Sequence, residues 1–232
     1  MDKKYTYKAL KAKHRELREV EKWDQNFKIR THRALSWLKR SELEGLDTSI
    51  GSFKDLDAQF IFLWISFNSA YSHDISTYEP YKEKSVYKEF INRIVYYDDE
   101  KEHAIYKILW EEFPKNVESL IDNKFIFQPY WNYRNGKSDQ YWEGRFKDER
   151  RNTRQYREQL NVAKLLMEML NRLYCLRNQM VHGGATHDSD ANREQVSTAT
   201  PILANLVPII INVMMDNPKV NWGKICYPPI SS

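Results

Sequence analysis

Residues 144–184, GRFKDERRNTRQYREQLNVAKLLMEMLNRLYCLRNQMVHGG, constrain the fold more than any other part of the chain. They read as one long helix. The first half is basic, with Arg145, Lys147, Arg150, Arg151, Arg154 and Arg157 within four turns. Arg150, Arg154 and Arg157 are spaced four and three apart, so they share a face. The second half places Leu166, Met169, Leu170 and Leu173 on one apolar stripe, as a helix packed against others requires. Gly183 and Gly184 then supply a helix stop. The composition points the same way: 7 Gly and 8 Pro in 232 residues leave few helix breakers, and 14% aromatic content argues against disorder. An all-α fold is expected.

Other segments fit a bundle. YKALKAKHRELREVEKW reads as a charged helix with a thin stripe through Leu10, Leu17 and Val20, and residues 26–43 as a second helix; Gly45 and DTSIGS follow as a turn. Residues 1–50 are therefore assigned to an N-terminal helical extension, 51–216 to the main bundle and 217–232 to a tail. LDAQFIFLWISFNSAYS carries an aromatic stripe, Phe60, Leu63, Trp64, Phe67 and Tyr71, with Asn68 beside it. Helices are expected over about 81–97 and 100–120, with Pro114 ending or kinking the latter. The stretch 123–142 has a different texture, rich in aromatics, with Pro129 and the turn signal Asn135–Gly136; it reads as an inserted loop or short hairpin. A last helix spans about 190–215.

Several function classes are disfavoured. Cys175 and Cys226 are too few for a disulfide framework or a thiolate zinc site, and read as reduced thiols. No P-loop or dinucleotide fingerprint is present. His182 and His187 lack a third ligand, so neither a metal nor a cofactor is expected. His14, His32, His73 and His103 read as surface or structural residues. The N-terminus has no apolar core of a signal peptide, and ILANLVPIIINVMM, broken by Asn205, Pro208 and Asn212, is short for a membrane span. A cytoplasmic protein without a membrane partner is expected. A net charge of +4 permits an anionic partner.

The sharpest chemical signal lies in LYCLRNQMVHGG. Continuing the stripe from Leu173 by four reaches Arg177, where a charge is costly unless paired, solvated or bound to a ligand. Asn178 and His182 are one turn apart and share a face, which Arg177 flanks. Histidine moves protons near neutral pH, and arginine holds a phosphate while charge builds on it. RNA brings its own nucleophile, the 2′-hydroxyl. The same spacing also suits a histidine placed at the negative end of the helix dipole.

RNQMVHGG resembles the signature of the HEPN superfamily: Arg, a polar residue, a short spacer and His near the end of a bundle helix. Arg177, Asn178 and His182 fill its positions. FIFLWISFNSAY is similar to the aromatic early helix of the larger, Apea-like HEPN proteins, and the resemblance covers residues 55–215. It implies a helical bundle, frequently a homodimer with the motifs of two protomers facing one cleft. It also implies a metal-independent endoribonuclease used as a toxin or in phage defence, with RNA as substrate and an antitoxin protein as a further partner. The catalytic residues would be Arg177, Asn178 and His182. The basic face of Arg150, Arg154 and Arg157 reads either as an RNA guide leading toward them or as a solvated helix face balanced by Asp148, Glu149 and Glu158. Two alternatives stay open: a HEPN module that binds RNA or a nucleotide without cutting, and a helical interaction protein. The extension 1–50 and the insert exceed the minimal HEPN bundle.

Overall fold

The computed structural model describes residues 3–20, 22–45, 55–71, 80–138 and 141–228, with side chains from residue 87 in the fourth helix. The expected DTSIGS turn, His73 and the last four residues of the tail lie outside these. The helices are α1 (Tyr7–Val20), α2 (Gln25–Glu44), α3 (Leu56–Tyr71), α4 (Pro80–Asp99), α5 (Ala104–Tyr106), α6 (Pro114–Ile121), α7 (Gln128–Arg134), α8 (Trp142–Glu158), α9 (Val162–Val181) and α10 (Arg193–Asp216). No strand occurs among the described residues, and the fold is all-α. The chain forms two compact units, Met1–Ala104 with Leu203–Ser232, and Ile105–Ile202. α1, α2 and α3 belong to the first of these units.

In the first unit α2 and α3 form the main pair, and Ser66 Oγ donates to the Ala34 carbonyl at 2.7 Å between them. The aromatic stripe of α3 is core: Phe60, Leu63, Trp64 and Phe67 are buried, and Phe67 meets the rings of Tyr71, Tyr87 and Phe90. Asn68 is only half-buried. The stripe of α1 is shorter than expected. Leu10 and His14 are buried, whereas Val20 is 78% exposed. Arg30 is wholly buried and ties the tail down, donating to the carbonyls of Ala70, Gly223 and Lys224 at 2.7, 3.2 and 3.1 Å. α10 carries Pro201 and Pro208 and is long and apolar enough to cross a membrane, yet most of that length is buried within the protein.

In the second unit the expected kink at Pro114 takes a definite form. Lys107–Glu112 widens into a π-turn, Phe113 N–H bonds the Ile108 carbonyl at 3.0 Å, and Pro114 starts α6, where its missing N–H costs nothing. The long helix over 144–184 is corrected to a hairpin. α8 stops at Glu158; Leu160 takes a left-handed φ of 52°, and Asn161 caps α9 by accepting from Lys164 N–H at 3.1 Å. The insert is corrected as well. In place of a loop or β-hairpin, Lys124–Ile126 forms a 3₁₀ turn and Gln128–Arg134 a short helix, with Pro129 in its first turn.

Candidate active site

α9 carries two arginines with opposite fates. Its buried face runs through Leu165, Met169, Arg172 and Leu176, spaced four, three and four apart. Arg172, 3% exposed, lies with its guanidinium carbon 4.4 Å from the Phe127 ring centre and 5.5 Å from that of Phe146. Its Nη2 is 3.2 Å from a Glu149 carboxylate oxygen, which joins α9 to α8. Burial pulls the Arg172 guanidinium down and pushes the Glu149 carboxyl up, in each case outweighing the attraction between them. Removing Glu149 would leave the buried Arg172 charge without its carboxylate.

Arg177 was expected to be the charge on the buried stripe; Arg172 holds that place. Arg177 is half-buried. Its Nη1 donates to Asn178 Oδ1 at 2.8 Å, and its guanidinium carbon lies 5.8 Å from the exposed Tyr174 ring. No carboxylate pairs with it among the described residues. His182 is exposed one turn further on, at the C-cap, where its N–H bonds the Asn178 carbonyl at 3.0 Å. Gly183, at φ 72°, turns the chain out of the helix, and Gly184 N–H closes the cap on the Gln179 carbonyl at 2.6 Å. A Cβ on Gly184 would meet that carbonyl oxygen at 2.9 Å. The sequence motif is thus one local construction. Arg177 and Asn178 are bonded directly, and the glycine cap fixes the backbone that presents His182.

The basic face of α8 is less open than its spacing suggests. Arg150 binds Asp122 of the α6 end through Nε and Nη2 at 2.5 and 2.7 Å. Arg157 Nη1 donates to the Pro114 carbonyl at 3.4 Å, while Arg154 is exposed. All three border a shallow groove between α6 and α8, together with Glu118 and Asp122. Because α8 and α9 form a hairpin registered by Glu149 and Arg172, the face runs from Arg150 toward the α8–α9 connection, away from Arg177.

Two contributors escape a reading of the motif alone. Arg172 was visible in the spacing of Leu165, Met169 and Leu176. Gln179 was not, since its partner, the Phe125 carbonyl at 2.6 Å, comes from the insert. No protein-family model matches the chain, and neither a curated protein nor a solved structure does.

Proposed function

We propose that the chain is a HEPN-type, metal-independent endoribonuclease that works through the end of α9. The observation that carries this reading is the state of Arg177. It is a guanidinium without a carboxylate partner among the described residues, held by a neutral amide, one turn from an exposed histidine. Such a group attracts an anion and holds a phosphodiester through two parallel N–H donors. With the 2′-hydroxyl as nucleophile, His182 transfers the proton and Arg177 stabilises the charge that builds on the phosphate. Asn178 keeps Arg177 aimed. Of the three α8 arginines, Arg154 is the one left to meet RNA.

The site is composite in this reading. Tyr174, Arg177, Asn178 and Val181 share one face, and Tyr174 and Val181 are 49% and 53% exposed. A second copy across a two-fold axis would cover both and set two Arg177–His182 pairs at one cleft. Use as a toxin or phage-defence effector, an antitoxin partner and a cytoplasmic location belong to the same proposal. The exposed C-cap position of His182 also favours a non-catalytic reading, in which the histidine serves the helix dipole and Arg177 only binds RNA.

Cleavage of RNA in EDTA by the wild type, Arg177→Ala and His182→Ala, measured beside thermal stability, decides between them. Each variant is expected to lose roughly 100-fold or more in rate while melting like the wild type. RNA binding without cleavage by the wild type would select the binding module.

A further inference from the structure

The insert earns its place by where it docks. From Asn123 to Ser138 the sequence holds five aromatic residues, three cations (Lys124, Arg134 and Lys137) and no acid. Asn123 Oδ1 accepts from Phe125 N–H at 2.9 Å and starts the 3₁₀ turn. Phe127 is then buried beneath the Arg172 guanidinium, which fixes the segment against α9. The Phe125 carbonyl accepts from Gln179 Nε2 at 2.6 Å and from Trp131 Nε1 at 2.7 Å. Gln179 lies one turn before His182 and its carbonyl accepts the Gly184 N–H, so this anchor lies beside the glycine cap that presents His182.

The anchor is main chain, and the ring is left outside. Phe125 is 44% exposed, a high value for a large apolar side chain. Lys124 Nζ lies 5.2 Å from its ring centre, and Tyr130 meets it edge-on at 5.7 Å. Tyr133, at the far end of α7, is also exposed. Exposed aromatic faces in an acid-free, cationic segment match the chemistry of single-stranded nucleic acid, whose bases stack and whose phosphates need countercharge. A duplex offers no free base faces.

We propose that residues 124–134 form a base-stacking ledge, led by Phe125, that holds single-stranded RNA next to the Arg177–His182 site. The choice of ligand rests on the ribonuclease reading, but the ledge is testable without cleavage. In a His182→Ala background, binding of a labelled single-stranded oligoribonucleotide is measured across a salt series for Phe125, Phe125→Leu, Phe125→Trp and Lys124→Ala. Phe125→Leu keeps the main-chain anchor and an apolar side chain, so folding is retained. It should weaken binding about tenfold at every salt concentration, and Phe125→Trp should restore it. Lys124→Ala should instead flatten the salt dependence. A single-stranded DNA of the same sequence should lose affinity alike, because stacking ignores the sugar, and a duplex should show no change. Equal single-strand affinity for Phe125 and Phe125→Leu would overturn the ledge, as would absence of RNA binding by the parent. A tenfold loss in a protein whose wild type never cleaves RNA would uphold the ledge and remove the nuclease reading alone.

Discussion

His14 shows how a single residue in this fold is committed to one charge state. Its ring is 2% exposed and packs edge-on against Trp23 at 5.3 Å, with Nε2 3.2 Å from Thr31 Oγ1. The Thr31 hydroxyl already donates to the Phe27 carbonyl, so it accepts from His14 Nε2–H and leaves Nδ1 as a buried lone pair without a partner. Burial, then the nearby Lys11, Arg18 and His32, lowers the His14 pKa to about 4. The folded value lies below the ordinary one of 6.5, so the native state resists protonation. Stability is complete above about pH 6.5 and falls as pH drops toward 4, by up to ~3 kcal/mol. Denaturant titrations between pH 4 and 7 should show this slope in the wild type and a shallower one in His14→Gln. Equal slopes would place the acid sensitivity elsewhere. Arg172 and Arg177 make the complementary point about legibility. Both are arginines on one apolar helix, and the sequence motif draws attention to Arg177. Which of them is buried depends on how α8 and the insert pack, because spacing alone places both on apolar stripes, Arg172 with Leu165, Met169 and Leu176 and Arg177 with Leu170 and Leu173.

At the scale of elements, helices were legible where periodicity and capping agreed. The aromatic stripe of α3, the Pro114 break and the double-glycine stop each rest on a residue whose physics acts locally. The α8–α9 break was hidden because no glycine marks it. Leu160 takes the left-handed turn that glycine usually fills, and Asn161 restarts the helix. The helical form of the insert was hidden because it is stabilised from outside, by Gln179 and Arg172. Two outcomes follow from the caps and faces. Gly183→Ala forces a Cβ into a φ of 72°, so it should cost about 1 kcal/mol and loosen the turn that presents His182. RNA cleavage should fall more than the melting temperature suggests; retention of full activity would detach the cap from the site. On α8, Arg154→Gln should weaken RNA binding and reduce its salt dependence without loss of stability, since Arg154 is exposed. Arg150→Gln should show the reverse emphasis, because Arg150 is spent on Asp122. Equal effects from both would mean that the face acts as a whole.

At the scale of the molecule, the candidate chemistry and the insert lie in the unit Ile105–Ile202, whereas the first 45 residues belong to the other unit. The fold class was readable from composition and period. The division into units was not, because α10 contributes to both and its sequence shows no boundary at Leu203. What the end of α9 does to RNA is measured most directly by the chemistry of the ends that the protein leaves on RNA in EDTA. Attack by the 2′-hydroxyl, with His182 moving the proton, predicts a 2′,3′-cyclic phosphate on one fragment and a free 5′-hydroxyl on the other. Both should disappear in His182→Ala that still melts like the wild type. Fragments bearing 5′-phosphates, or cleavage that EDTA abolishes and magnesium restores, would exclude attack by the 2′-hydroxyl at this site.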